Sequence, residues 1–158
     1  MKELHTDVVV IGAGTAGLSA YRNAKQFTPN VLMIESGPYG TTCARVGCMP
    51  SKLLIAAAEA AHSIEMAPAF GVHSSKPRID GKAVMARVKS ERDRFAGFVV
   101  EAVDGIPDED KIRGYAKFLD ANRVQIDDHT IITAKRFVIA TGSRPSYPGI
   151  FNNFGDRL

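Results

Sequence analysis

The 158-residue sequence has only two cysteines and no tryptophan, and it has no apolar run long enough to cross a membrane. Its longest apolar stretch, VVVIGAGTAGLSA, is interrupted by three glycines and falls short of the roughly 20 residues that a membrane-spanning helix needs. The start of the chain also lacks the basic region and the cleavage site of a secretory signal. These absences predict a cytoplasmic protein with no membrane partner.

An excess of charge of one sign is also missing. The formal net charge is +3, and basic residues alternate with acidic ones in runs such as KSERDR and DEDKIR. Nucleic-acid-binding proteins usually concentrate Lys and Arg in one patch, so we expect no nucleic-acid partner. Hydrophobic residues make up 45% of the chain and charged residues 23%, which is typical of a folded globular protein. The length favours one domain.

The order of the predicted elements favours an α/β fold. A run of β-branched residues predicts a buried parallel strand at 8–11, and largely apolar runs predict two more at 30–35 and 136–140. Composition and helical spacing predict helices over 15–27 and 50–66, and a third from 82 that ends at Gly105. Strand patterns at 111–120, 123–127 and 130–133 predict an antiparallel three-stranded meander. The first helix is predicted to pack through Ala16, Ala20, Ala24 and Phe27, and the third through Val84, Val88, Phe95, Val99 and Ala102.

A glycine-rich loop, GAGTAG, connects the first strand to the first helix at 12–17. Glycines at these positions permit a tight turn, close approach of a pyrophosphate and close packing of the helix on the sheet. The start of the helix favours phosphate, and Glu35 at the end of the next strand can accept hydrogen bonds from a ribose. The loop therefore predicts a bound adenine dinucleotide, although these residues do not separate NAD from FAD.

The two cysteines, Cys43 and Cys48, lie in the run GTTCARVGCMPSK, immediately before the alanine-rich helix. On a regular helix their Cα atoms would be roughly 8–9 Å apart, whereas a disulfide needs at most about 7 Å. The two residues can bridge only if the segment departs from ideal helix, which Gly47 permits. Unpaired N–H groups at a helix start are expected to lower the pKa of the thiols, as suits a redox pair.

A metal site and a structural disulfide are the alternatives for these cysteines. A zinc site needs four ligands, and the histidines do not lie at zinc-site spacing from the cysteines: they are His5, His62, His73 and His129. A structural disulfide across so short a loop gains little stability and would have to survive a reducing cytosol. The sequence thus favours a redox pair and no metal.

Four motifs in this order resemble the family of pyridine nucleotide-disulfide oxidoreductases. They are the loop at 12–17, Glu35, the run TCARVGCMPSK at 42–52 and ATGSRPSYPG at 140–149, with GYAKFLD at 114–120 as weaker support. The resemblance covers essentially the whole chain. One departure is Thr41, which stands where the family usually has the second glycine of Gly-Gly-Thr-Cys.

The resemblance implies FAD rather than NAD at the glycine loop, within a Rossmann-like FAD-binding domain. It implies that Cys48 is the sulfur beside the flavin, that Cys43 exchanges with a disulfide or dithiol, and that Lys52 lies near the reactive flavin nitrogen. The cofactor-binding residues that it implies are Gly12, Ala13, Gly14, Ala16, Gly17, Glu35, Ser36, Thr42, Lys52, Gly114, Tyr115, Ala116, Thr141, Gly142 and Ser143.

The resemblance also implies a larger enzyme. Residues 1–146 would be the first part of the FAD-binding domain, incomplete relative to the family, and residues 147–158 a linker toward an NAD-binding domain. The complete enzyme would be a homodimer that uses NAD as co-substrate, and this segment alone would be inactive. The expected substrate is dihydrolipoamide or another small dithiol or disulfide, weakly favoured by Ser51. The alternatives are a branch acting on glutathione disulfide or mercuric ion, and a dinucleotide-binding module whose cysteines sense redox state.

Overall fold

The computed structural model describes residues 1–144, 146 and 148–150. The predicted linker at 147–158 lies largely outside these residues. The described residues form six strands, β1 (Lys2–Ile11), β2 (Val31–Glu35), β3 (Lys111–Arg113), β4 (Ala116–Phe118), β5 (Arg123–Ile126) and β6 (Thr130–Ile139). They also form four α-helices, α1 (Thr15–Ala24), α2 (Thr42–Val46), α3 (Cys48–Met66) and α4 (Gly81–Asp104).

The six strands form one mixed sheet in the order β3-β2-β1-β6-β5-β4. β1 is parallel to both β2 and β6, and β2 is parallel to β3. β4, β5 and β6 form an antiparallel meander. The predicted α/β class is therefore confirmed, with parallel strands whose carboxyl ends meet at one edge, as in Rossmann-like folds.

Two strand boundaries differ from the prediction. The predicted strand at 111–120 divides at Gly114, which has a φ of +147° and where a Cβ would lie only 2.5 Å from Asp127 Oδ2. Before this glycine β3 pairs with β2 at one edge of the sheet, and after it β4 pairs with β5 at the opposite edge. Conversely, the predicted strands at 130–133 and 136–140 are one continuous strand, β6, which pairs with β1 along its whole length.

The predicted packing face of α1 is only partly correct. Ala20 and Ala24 are half-buried, but Ala16 is exposed, and Phe27 is 88% exposed and lies beyond the end of the helix. The residues that α1 buries are Gly17, Leu18 and Tyr21. A Cβ at Gly17 would lie 1.8 Å from the Gly12 carbonyl oxygen, so the backbone of α1 touches the glycine loop. This contact, which only a glycine allows, determines the side of α1 that faces the sheet.

The core lies on both faces of the sheet. One cluster joins alternate residues of β1 and β2 with the meander: Val9, Ile11, Leu32, Ile34, Val124, Ile126, Ile132 and Ala134. The other joins the intervening residues with α1 and the end of α4: Val10, Ala13, Leu18, Tyr21, Val31, Met33, Val103 and Ile106. Both clusters reach the carboxyl ends of β1 and β2, and they hold the glycine loop in place. Within the described residues, no helix combines the length and the hydrophobicity needed to cross a membrane.

A buried carboxylate ties α1 to the segment before β3. Asp110 is 7% exposed, and its Oδ2 accepts hydrogen bonds of 2.6 Å from the Tyr21 hydroxyl and 2.6 Å from Lys25 Nζ. Burial, together with this hydrogen bond, raises the pKa of Tyr21, which therefore stays a neutral donor. The two hydrogen bonds to Asp110 connect α1 and the residue that follows it to the segment before β3.

We expect Tyr21→Phe to lower the free energy of unfolding by about 1–2 kcal/mol, because it removes a buried hydrogen bond to a charged group. Urea denaturation measures the change. Tyr115→Phe is the matched control, since Tyr115 is 68% exposed, and it should change stability by less than about 0.5 kcal/mol. Equal effects of the two substitutions would contradict the role given to Asp110.

Candidate functional site

A cavity of about 300 Å³ opens at the carboxyl ends of the parallel strands. It lies between the carboxyl ends of β1 and β2 and the turn that joins β3 to β4. Thr141, two residues after the end of β6, also borders it. The structure brings together there the predicted cofactor residues Gly12, Glu35, Ser36, Gly114, Tyr115, Ala116 and Thr141, with Ile11 and Ile34. The volume is at the lower end of the range for ligand cavities.

Two glycines of the loop differ in what surrounds them. Gly12 has a φ of +110°, and a Cβ there would lie 2.2 Å from the Ala140 carbonyl oxygen. Gly12 is therefore required by the fold, where β1 and β6 end side by side. Gly14 has an extended backbone, with φ −79° and ψ −169°, and a Cβ there would meet nothing within 4 Å. No packing within the described chain explains a glycine at this position, which leaves open space beside the backbone.

Glu35 is oriented by the backbone on both sides of the cavity. Its Oε2 accepts a hydrogen bond of 2.8 Å from Ala13 N, and its Oε1 accepts one of 2.7 Å from Gly37 N. An ionised carboxylate can accept about four hydrogen bonds, so it can also accept from the hydroxyls of a ribose. The first turn of α1 begins directly after Gly14, and the N–H groups of such a turn have no partner within the helix. The site therefore favours an anionic group beside a hydroxyl-bearing one.

Arg113 holds the segment that leads from Glu35 to the cysteines. Its Nη1 donates a hydrogen bond of 2.6 Å to the Gly37 carbonyl, and its guanidinium lies 4.6 Å from the centre of the Tyr39 ring. The next residue, Gly114, donates its N–H to the Glu35 carbonyl at 3.1 Å. Arg113 was not among the site residues predicted from the sequence. The one feature that could have indicated it is its position immediately before the GYAKFLD motif.

The cysteines lie on either side of a break between two helices. α2 ends at Val46, Gly47 has φ −129° and ψ −112°, and α3 begins at Cys48. Cys43 is half-buried, Cys48 is exposed, and both are free thiols that lie close enough for Cys48 to shift the pKa of Cys43. Among the described residues, no three His, Cys, Asp or Glu side chains group so that they could hold a metal ion. The departure from ideal helix thus occurs at the glycine where the sequence allowed it.

The pKa of Cys43 changes in the direction opposite to the predicted one. The side chain of Cys48 raises the pKa of the Cys43 thiol, and burial and negative charge on Cys48 act in the same direction, whereas the backbone N–H of Cys48 and the charge of Lys52 lower it. The prediction considered the helix start alone. It was wrong for Cys43 because the adjacent sulfur has a larger effect than the backbone.

We expect Cys48→Ala to lower the pKa of Cys43, because it removes the sulfur that raises this pKa. A lower pKa gives more thiolate at neutral pH and therefore faster alkylation. The rate of iodoacetamide labelling of Cys43, followed against pH by mass spectrometry, measures the change. Val46→Ala is the control, since Val46 is 61% exposed on the same short helix. If both variants keep the pH profile of the parent protein, Cys48 does not influence Cys43.

Cys43 also lines an apolar groove between α1, α2 and α4, with a volume of about 570 Å³. We call it the Cys43 groove, and its lining is Thr15, Leu18, Ser19, Arg22, Thr41, Cys43, Ala44, Met49, Phe95, Phe98, Val99 and Ala102. The predicted apolar face of the third helix contributes Phe95, Val99 and Ala102. In the structure these residues border the open groove, and the residues that α4 buries are Val88 and Val103. Sequence analysis predicted an apolar face but no groove.

The remaining predicted site residues lie outside the 300 Å³ cavity. Thr42 is the exposed first residue of α2, and Lys52 lies in the second turn of α3, where its charge reaches Cys43. Gly142 and Ser143 follow Thr141 at the same edge of the sheet. Ala13, Gly14, Ala16 and Gly17 belong to the loop and the start of α1. The predicted residues therefore form two neighbouring groups, one around Glu35 and one around the cysteines.

Comparison with known proteins identifies relatives of this chain. Residues 6–156 match the model of the family described as pyridine nucleotide-disulphide oxidoreductase. A mercuric reductase of Lysinibacillus sphaericus is 34% identical over 155 residues, which cover 95% of this chain and 27% of the relative. Dihydrolipoyl dehydrogenases of Thermus scotoductus and Geobacillus stearothermophilus are 34% and 35% identical, over 88% and 90% of this chain. The chain spans 30% and 31% of the length of these two relatives.

Proposed function

The chain belongs to the pyridine nucleotide-disulfide oxidoreductase family, and on that premise we propose that it is the FAD-binding, dithiol-bearing part of a disulfide oxidoreductase. The observation that carries the proposal is the pair of free thiols, Cys43 and Cys48, on either side of the helix break at Gly47. Residues 1–146 would form the first part of the FAD-binding domain. NAD would be the co-substrate of the complete enzyme, which would be a cytoplasmic homodimer.

The residues at the sheet edge fit a flavin dinucleotide. The open flank of Gly14 leaves room for a pyrophosphate that a Cβ would obstruct, and Glu35 retains acceptor capacity for the ribose. Gly114, Tyr115 and Ala116 would border the adenosine end of the site, and Lys52 would lie on the flavin side, near the cysteines. When bound, FAD supplies a two-electron carrier between the cysteine pair and a nicotinamide nucleotide.

The two cysteines perform the exchange with substrate. In the oxidised pair, a substrate thiolate attacks Cys43 Sγ, the bond between the cysteine sulfurs breaks, and Cys48 leaves as a thiolate. The second substrate thiol then attacks the mixed disulfide and releases Cys43, so the substrate loses two electrons and the pair gains them. Because Cys48 raises the pKa of the Cys43 thiol, we expect the proton of the reduced pair to lie on Cys43.

For the substrate, we propose dihydrolipoamide or a similar small dithiol. The Cys43 groove gives an apolar approach, through Leu18, Phe95 and Phe98, that suits a hydrocarbon arm. A mercuric reductase activity is the second candidate, because the mercuric reductase relatives are as similar as the dihydrolipoyl dehydrogenases. A glutathione-type disulfide and a redox-sensing module without turnover are further alternatives.

Absorbance of the purified complete enzyme, of which this chain would be the first part, tests the proposal. We expect a yellow protein that develops long-wavelength charge-transfer absorbance on reduction by two electrons. Reduction of NAD by dihydrolipoamide, compared with oxidation of NADPH by mercuric ion, then separates the two substrate candidates. A colourless protein that binds NAD would favour the sensing module and reject the oxidoreductase. A yellow protein without thiol-dependent absorbance would reject the role of the cysteines.

A further inference from the structure

Thr41 has the backbone conformation of a glycine. Its φ is +54° and its ψ is 149°, a combination close to a region that is essentially restricted to glycine. A positive φ is a genuine outlier for a β-branched residue, because its side chain crowds the backbone. Such strain persists only where the surrounding structure enforces it, and it concentrates at functional sites.

Capping of α2 does not by itself explain a threonine here. Thr41 Oγ1 accepts a hydrogen bond of 3.2 Å from Ala44 N, and its carbonyl accepts one of 3.1 Å from Arg45 N. The carbonyl bond is available to any residue. A serine would make the same side-chain bond, and a glycine at a cap loses little stability while it relieves the strain. The methyl group of Thr41 therefore has no role in the cap.

The side chain of Thr41 lies where it can affect access to Cys43. Both residues line the Cys43 groove, and both are half-buried. Phe95 and Phe98 of α4 line the same groove. Thr41 is two residues before Cys43 in the sequence. A glycine at position 41 would remove side-chain volume from the wall of the groove. The threonine thus occupies space that a bound thiol or disulfide could otherwise use.

We propose that Thr41 is a specificity-determining residue, whose side chain narrows the approach to Cys43 and favours slender thiols and disulfides over bulky ones. The inference rests on the proposed role of Cys43 as the exchange thiol. It gives a reason for a β-branched residue at a position whose backbone conformation favours glycine.

The test compares a slender and a bulky reagent on the same sulfur. In a Cys48→Ala background, so that Cys43 is the one cysteine left, the alkylation rate constants are measured with iodoacetamide and with N-pyrenylmaleimide. Both reagents react with the Cys43 thiolate, so a change in the pKa of Cys43 affects both rates and largely cancels in their ratio. The ratio of bulky to slender reagent therefore reports access.

We expect Thr41→Gly to raise this ratio by about tenfold, which is typical of discrimination by a methylene-sized group in a pocket. Thr41→Ser, which keeps the cap but loses the methyl group, should give an intermediate ratio. Thr41→Val, which keeps the volume but loses the hydrogen bond to Ala44, should keep the parent ratio. Circular dichroism checks that each variant folds, and the glycine and serine variants decide the matter if the valine variant does not fold.

A ratio in Thr41→Gly that is unchanged or lower would overturn the inference. A ratio that rises equally in Thr41→Val and Thr41→Gly would also overturn it, because the hydrogen bond rather than the volume would then control access. The assay needs neither flavin nor turnover. Failure of the proposed oxidoreductase function, seen as a colourless protein, is therefore distinguishable from failure of this inference.

Discussion

In the complete enzyme that we propose, Cys48→Ser should abolish disulfide reductase activity and long-wavelength absorbance while FAD remains bound. The activity should fall by a factor on the order of 10³ or more, as expected when one member of a reactive unit is removed. A serine cannot form the bond with Cys43 that receives two electrons from the substrate. Flavin content should persist because Cys48 is exposed at the start of α3, outside the cavity around Glu35. The visible spectrum of the oxidised and the reduced protein, with steady-state turnover, measures these effects.

Cys43→Ser is the informative counterpart of this variant. It should also lose activity, but it should keep the long-wavelength absorbance, because the sulfur proposed to lie beside the flavin is still present. Ser63→Ala serves as the control on α3, since the one bond that its hydroxyl makes among the described residues is to the Glu59 carbonyl of its own helix, and it should leave both properties unchanged. If Cys43→Ser loses the absorbance and Cys48→Ser keeps it, the roles of the two cysteines are reversed.

Local patterns were sufficient to predict the elements that position the cavity. The β-branched run at 8–11 and the largely apolar run at 30–35 identify buried parallel strands, since such strands are apolar on both faces. The glycine loop and Glu35 could be placed at one edge because carboxyl ends of neighbouring parallel strands meet there. The structure has both strands and brings the loop and Glu35 together through the hydrogen bond from Ala13 N to the carboxylate.

Features that depend on distant contacts were not predictable in this way. The break at Gly114 is required by Asp127 and Ile126, which approach it from the other side of a turn. The Cys43 groove exists because Phe95 and Phe98 of α4 are not covered by α1 or α2. Helical periodicity predicts which residues share one face of a helix, but it does not predict which residues cover that face. The raised pKa of Cys43 likewise depends on Cys48, which lies beyond the helix break at Gly47.

Two substitutions in the glycine loop should separate flavin binding from folding. Gly14→Val should weaken FAD binding by at least about 100-fold, or about 2.7 kcal/mol. A side chain there would lie between the backbone and the pyrophosphate, and a lost hydrogen bond to a charged group costs about 1.5–3 kcal/mol. The fold should tolerate the change: the backbone at Gly14 is extended, and a Cβ meets nothing within 4 Å. The poorer helix cap should cost no more than about 1 kcal/mol.

Gly17→Val should instead destabilise the apoprotein, because its Cβ would lie 1.8 Å from the Gly12 carbonyl oxygen. Forcing a side chain into a packed contact typically costs about 1–3 kcal/mol, and sometimes more. Urea denaturation of the apoprotein and fluorescence titration with FAD measure the two quantities separately. Normal flavin affinity in Gly14→Val would reject the loop as the pyrophosphate site. If Gly14→Val lowered the stability of the apoprotein as much as Gly17→Val, then Gly14 would be required by the fold. The open space beside Gly14 would then have no bearing on ligand binding.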